Sequence, residues 1–137
     1  MPAGFGVTVV ADGQVRVMDL PHPLYPSKRR PYIKGLQLSV PAVAQTYSVT
    51  YTPAEDVELL SIAMAASGYG LGDYWWADVG TERLLDSIYT KELPESVLLG
   101  TPWSIVYPVA AGTEIKLSFN NASGTAKRVW WNLHMLR

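Results

Sequence analysis

Short runs rich in Val, Ile, Thr and Tyr recur along the whole sequence, and Gly, Pro, Asn or Asp separates each run from the next. This spacing is typical of a β-sandwich or barrel, and no segment shows the apolar period of a strong amphipathic helix. We therefore predict an all-β fold: a two-sheet antiparallel β-sandwich of jelly-roll-like form. The strand candidates from residue 34 onward are 35–40, 46–51, 57–66, 74–79, 84–89, 104–109, 114–119 and 127–136.

The last two candidates show the clearest alternation of apolar and polar residues. Ile115, Leu117 and Phe119 alternate with polar residues, as a strand with one buried face should. Because turn-forming residues occupy 120–124, we predict that the two strands pair as a closing hairpin. In the final strand the predicted core residues are Val129, Trp131, Leu133 and Met135, and the outward residues are Arg128, Trp130, Asn132 and His134. Trp130 is expected to lie against solvent, an arm or a partner.

The first 33 residues are predicted to form a separate region, a hairpin followed by a proline-rich extended arm, with the sandwich at 34–137. Segments 6–10 and 14–18 flank Asp12-Gly13, a dipeptide suited to a two-residue hairpin turn. Four prolines lie between Pro21 and Pro31, and each lacks the amide donor that regular strand pairing needs.

Composition limits the classes of function. At 137 residues with 48% hydrophobic residues, the chain is long enough to form one domain with its own core. The net charge of −1 provides no overall field that would attract nucleic acid, and the sequence lacks a long apolar run for a membrane span. The absence of cysteine excludes disulfides and thiolate chemistry. We expect no nucleic-acid or membrane partner and, without a recognisable secretory signal, synthesis in a cytoplasm.

An aromatic cluster is the first candidate site. Tyr69, Tyr74, Trp75 and Trp76 lie within one predicted loop and strand of a chain that has five tryptophans and eight tyrosines. Adjacent Trp75 and Trp76 must face opposite sides of a strand, so one is expected in the core and the other on the surface. Surface aromatics suit both protein interfaces and sugar stacking. We rank an interface first, because polar partners for sugar hydroxyls are not obvious nearby.

A basic cluster is the second candidate site. Lys28, Arg29 and Arg30 lie between Pro26 and Pro31. Three interpretations stay open: a solvated arm, a contact with an anionic surface of a neighbouring subunit, and a contact with nucleic acid or a polyanionic glycan.

The sequence carries no recognisable catalytic set, so we predict a protein that is not an enzyme and needs no cofactor. Its carboxylates lack a diagnostic spacing for acid catalysis, and its two histidines lie far apart. Asp73 and Asp78 could contribute oxygen ligands to calcium, but solvated loop carboxylates are the preferred interpretation. Asn121-Ala122-Ser123 fits the glycosylation pattern, although turn chemistry is preferred there.

An ordered set of local motifs resembles the β-sandwich domains of virion-associated proteins in tailed phages of Gram-positive bacteria and their prophages. The motifs are Gly68-Tyr69, Asp73-Tyr74-Trp75, Tyr89-Thr90-Lys91-Glu92-Leu93-Pro94-Glu95 and the segment from Asn120 to Trp130. Ala122 within the turn and the doubled Trp130-Trp131 depart from the pattern.

The resemblance implies a structural or adhesive role on the particle, as a head decoration, head fibre, tail or baseplate component, and it imports no catalytic residues. The expected partners are copies of the chain itself, with a trimer as the favoured state, and other virion proteins. The alternative function is a carbohydrate-binding module for host-surface glycans, with Tyr69, Tyr74 and one of Trp75 or Trp76 as the stacking platform.

Overall fold

The computed structural model describes residues 5–11, 14–20, 26–68, 70–90, 95–98 and 106–137. Within these residues the chain forms eleven β-strands. They are β1 (Phe5–Ala11), β2 (Gln14–Leu20), β3 (Pro31–Val40), β4 (Thr46–Tyr51), β5 (Val57–Ala66), β6 (Tyr74–Val79), β7 (Glu82–Tyr89), β8 (Glu95–Leu98), β9 (Tyr107–Val109), β10 (Ile115–Asn120) and β11 (Lys127–Leu136).

Nine of these strands form two antiparallel sheets. One sheet has the order β3-β11-β5-β8, with β9 also pairing with β5, and the other has the order β4-β10-β6-β7. The chain passes repeatedly from one sheet to the other, and the resulting order is that of a jelly roll. The predicted all-β sandwich is confirmed.

The predicted closing hairpin is wrong. β10 pairs with β4 and β6, whereas β11 pairs with β3 and β5, so the two strands lie in different sheets. Segment 121–126 therefore crosses from one sheet to the other instead of forming a hairpin turn. Alternation reports which face of a strand is buried, and two strands whose buried faces meet across a sandwich alternate in the same way as two hydrogen-bonded neighbours.

The core lies between the sheets and draws its large side chains from both. β10 contributes Ile115, Leu117 and Phe119, and β11 contributes the four residues predicted for it, all essentially inaccessible to solvent. The rings of Trp75 and Trp131 meet across the core in an edge-to-face arrangement with centroids 6.2 Å apart. Such aromatic pairs stabilise a core beyond the area that they bury.

Several strand boundaries differ from the predicted ones. Four predicted strands, 46–51, 57–66, 74–79 and 127–136, have the observed bounds. β3 begins at Pro31, so the predicted boundary between residues 33 and 34 falls inside this strand. β8 was not predicted, because its four residues follow a proline-containing corner that suggested a turn.

β1 and β2 pair antiparallel as predicted and form a two-stranded sheet of their own. Their predicted turn at Asp12-Gly13 lies outside the described residues, as do Pro21 and Pro23. Pro31 pairs with Leu136 as the first residue of β3, a position that a proline can occupy because no further ladder donor is required there.

Candidate functional site

A buried ion pair joins the two sheets at one end of the sandwich. Asp73 precedes β6, Lys127 begins β11, and both side chains are at most 2% exposed. The Lys127 Nζ donates to Asp73 Oδ2 and, at 3.0 Å, to Ser123 Oγ. Ser123 in turn donates its backbone N–H to Asp73 Oδ1 at 2.9 Å and its hydroxyl to Oδ2 at 3.1 Å. We call Asp73, Ser123 and Lys127 the buried triad.

The buried triad corrects the interpretation of Asp73 as a solvated loop carboxylate. Asp78 lies five residues further along β6, which places it about 17 Å away along an extended strand. It is bonded to Arg83 at the surface. The two carboxylates that were considered together as calcium ligands are therefore separated, and each has a cationic partner.

Asn121 holds the segment that crosses between the sheets. It is inaccessible to solvent, and its Nδ2 lies within hydrogen-bond distance of the carbonyls of Pro41, Val43 and Thr125, at 3.1, 3.4 and 3.2 Å. Its backbone N–H donates to the carbonyl of Gln45 at 3.0 Å. This is the turn chemistry that was preferred over glycosylation for the Asn121-Ala122-Ser123 motif, since the amide is buried and engaged.

An aromatic patch covers part of the outer face of the β4-β10-β6-β7 sheet. Trp75 points into the core at 2% exposure, whereas Tyr74 and Trp76 lie on the outer face. The Tyr74 ring lies 5.6 Å from that of Trp76 and 5.4 Å from that of Tyr89, which is 58% exposed. Arg83 stacks over Trp76 with its Cζ 5.2 Å from the ring centroid. We call Tyr74, Trp76, Arg83 and Tyr89 the aromatic patch.

Sequence reasoning missed half of this patch. Tyr89 and Arg83 lie on β7, which pairs antiparallel with β6 and places Tyr89 opposite Tyr74. Tyr89 is an aromatic residue at the end of a predicted strand, but the sequence does not indicate which residues lie beside it. Tyr69 lies outside the described residues.

The basic cluster lies on a segment whose backbone is docked onto the sandwich. Glu58 of β5 is 3% exposed, and its carboxylate accepts bonds from the backbone N–H and hydroxyl of Ser27 and from the backbone N–H of Lys28. Arg30 exchanges two backbone hydrogen bonds with Arg137. Arg29 and Arg30 are exposed and Lys28 is half-buried. The backbone of residues 27–30 is therefore held on the sandwich while Arg29 and Arg30 stay exposed, and the three interpretations of the basic cluster remain predictions.

Trp130 lies outward from β11, as the alternation predicts, and is 36% exposed. Its Nε1 donates to Gln37 Oε1 on β3 at 3.1 Å. It borders a shallow groove of about 570 Å³, whose walls include Ser39, Pro41, Ser67 and Arg128.

Burial and hydrogen bonding raise the pKa of two tyrosines. Burial, reinforced by a hydrogen bond to Glu82, raises the pKa of Tyr107 to about 12. Burial, followed by a hydrogen bond with Tyr32, raises the pKa of Tyr51 above its usual value. Both effects favour the protonated phenol, because the phenolate is poorly solvated there.

In the part of the chain that the structure describes, no helix has the length and apolar character needed to cross a membrane. Comparison with curated protein sequences found no match.

Three solved structures from infectious bursal disease virus are similar to this chain. They are the virus of the Gx strain (TM-score 0.39, 14% identity), a VP2 subviral particle (0.38, 13%) and the virus of the Gt strain (0.32, 12%). Each comparison covers 97% of this chain, but the chain spans only 37%, 36% and 37% of the respective structures.

A family model also matches residues 28–137, a range that begins at the docked basic segment and contains the complete sandwich. By this match over most of its length, the chain belongs to the family described as a domain of unknown function, DUF8551.

Proposed function

We propose that the chain is a non-enzymatic structural protein of a bacteriophage particle, a capsid decoration, head fibre or tail component that acts by protein-protein association. The observation that carries this proposal is the aromatic patch on the outer face of a jelly-roll sandwich. Jelly rolls serve both as viral capsid domains and as lectins, so the fold permits this role without specifying it.

The composition of the aromatic patch favours a protein interface. Aromatic side chains and arginine are the residues most enriched at the energetic centres of interfaces. Tyr74, Trp76 and Tyr89 form a contiguous ring cluster, and Arg83 adds a planar cation that stacks on Trp76. Each aromatic side chain can bury on the order of 150–250 Å² when a partner covers it.

The N-terminal hairpin offers a second means of association. β1 and β2 form a two-stranded sheet that, among the described residues, pairs with no further strand. Isolated two-stranded hairpins are marginal in water, and open strand edges can accept another chain. A copy of the same chain or a neighbouring virion protein would satisfy these edges.

The assignment to bacteriophage rests on the motif resemblance over residues 62–131. Symmetric closed assemblies are the usual form of homo-oligomers, and a trimer is the proposed state for this chain. The buried carboxylates Asp73 and Glu58 are consumed by internal hydrogen bonds.

Light scattering on the purified chain at micromolar concentration tests the proposal. We expect a particle mass three times the 15.1 kDa chain mass, and Tyr89→Asp is expected to reduce it to that of a monomer. The matched control is Thr50→Asp, which places a carboxylate opposite Lys116 at an exposed position of β4, the edge strand of the same sheet, and should leave the trimer intact. A strict monomer that also fails to bind phage particles assembled without it would refute the proposal.

A further inference from the structure

Trp130 lies on the outer face of the β3-β11-β5 sheet, where a hydrogen bond fixes its orientation. In the strand register Trp130 lies between Gln37 of β3 and Ala65 of β5. The adjacent pairs place Gly35 and Ala63 on either side of Asn132. The hydrogen bond from Trp130 to Gln37 fixes the indole edge, and the Trp130 residue is 36% exposed.

Several polar side chains share this face of the sheet with Trp130. Asn132 and Ser39 are exposed on the same face, and His134 is half-buried there. Gln37 uses its carbonyl oxygen to accept from Trp130, so its amide N–H groups are available to a ligand. The shallow groove beside Trp130 is lined in part by Ser39, Ser67 and Arg128.

An exposed arginine lies beside Trp130 on this face. Arg128 is exposed, lies two residues before Trp130 on β11 and forms no ion pair with any residue that the structure describes. Glu58, opposite Leu136, is buried and bonded to Ser27 and Lys28. Arg128 therefore places one exposed positive charge on the same face and strand as Trp130.

We propose that this face binds an acidic glycan. A hexuronate ring stacks on Trp130, its carboxylate pairs with the Arg128 guanidinium, and its hydroxyls bond to the amides of Gln37 and Asn132. Arg128 and Trp130 lie about 7 Å apart along the strand, so one monosaccharide can reach both. Guanidinium groups bind carboxylates through paired hydrogen bonds, which gives the site a preference for acidic over neutral sugars.

This site is independent of the proposed association, because it lies on the sheet opposite the aromatic patch. It also differs from the platform predicted around Tyr74, Trp75 and Trp76. In that platform Trp75 is buried in the core, and the Trp76 ring has Arg83 above it.

Isothermal titration calorimetry of the full chain with a glucuronate-containing tetrasaccharide tests the site, with a neutral glucose tetrasaccharide as the reference ligand. We expect at least tenfold tighter binding of the acidic ligand, and weaker binding of it in high salt. Trp130→Ala should lower the affinity for the acidic ligand at least tenfold. Arg128→Ala should remove the preference for the acidic ligand and leave the affinity for the neutral one unchanged.

Lys116→Ala is the matched charge control, since it removes one exposed cation from the other sheet and should bind like the wild type. Circular dichroism and light scattering on each variant separate loss of the site from loss of fold or assembly. Equal affinity for both ligands, full affinity of Trp130→Ala, or no binding at millimolar ligand would overturn this proposal. None of these results bears on the association proposal, which light scattering tests separately.

Discussion

Substitution of Asp73 by Ala is expected to produce the largest loss of stability among the polar residues. The side chain of Asp73 accepts three hydrogen bonds within the buried triad, two from Ser123 and one from Lys127. Removal of the carboxylate leaves the Lys127 ammonium at 2% exposure with the Ser123 hydroxyl and, 5.8 Å away, the centroid of the Phe119 ring as its described partners, and neither carries a negative charge. The backbone contacts of residue 73 with Gly70 and Thr90 are unaffected by the substitution.

The expected cost is about 3–5 kcal/mol, the usual penalty for leaving one partner of a buried pair uncompensated. That is a large fraction of the roughly 5–15 kcal/mol that stabilises a typical domain. With a denaturant dependence of about 2 kcal/mol/M, the urea midpoint should fall by about 2 M. Equilibrium unfolding in urea, followed by tryptophan fluorescence, measures this shift.

Two further variants test the cause. The double variant Asp73→Ala with Lys127→Met should recover much of the lost stability, because it removes the uncompensated charge. Asp78→Ala breaks the exposed pair with Arg83 and should shift the midpoint far less. If Asp73→Ala costs no more than Asp78→Ala, or if the double variant is less stable than Asp73→Ala, the reasoning about the buried triad is wrong.

Three other predictions concern single positions. Gly70→Ala should destabilise the fold by about 1–3 kcal/mol through overpacking, because an added Cβ would lie less than 3.0 Å from all three side chains of the buried triad. A thermal melt against Gly68→Ala, whose Cβ would meet nothing within 4 Å, checks it, and equal melting temperatures would contradict it. Asn121→Ala should cost about 1–3 kcal/mol, since the carbonyls of Pro41, Val43 and Thr125 lose the donor that the buried amide provides. A urea midpoint within error of the wild type would refute that role.

The third of these predictions is a pH dependence. The raised pKa of Tyr107, about 12 in the fold against an ordinary 10.0, means that the folded state binds this proton more tightly than the unfolded state. The associated stability is fully present below pH 10 and is lost as the pH rises through 12. Tyr107→Phe should therefore lose less stability than the wild type over that window, as measured by urea midpoints, and parallel curves would contradict the assignment.

Local patterns determined the strands and their faces. The alternation of the final strand predicts which four residues are core and places Trp130 outward, and adjacency alone separates buried Trp75 from surface Trp76. These properties follow from the two-residue repeat of an extended backbone, which any short stretch of sequence displays. The all-β class follows in the same way from the spacing of the strands.

Pairing between strands was decided only by the tertiary structure. β10 lies beside β4 and β6 instead of its sequence neighbour β11, because the buried faces of β10 and β11 meet across the core. The alternation within a strand is the same whether two strands are neighbours in one sheet or face each other across the core, so it does not distinguish the two arrangements. The predicted hairpin failed for this reason, although both of its buried faces were correct.

The candidate sites depend on the same non-local information. Asp73 and Lys127 are 54 residues apart in the chain and become an ion pair only when β6 and β11 pack in opposite sheets. The aromatic patch joins Tyr74 to Tyr89 through the register of two strands, and the Trp130 face joins side chains from three. Residue type and alternation establish that these side chains are aromatic, charged, buried or exposed. Only the folded sheets establish which of them are in contact. Each contact joins segments that are far apart in the sequence, and separation in sequence does not determine distance in space.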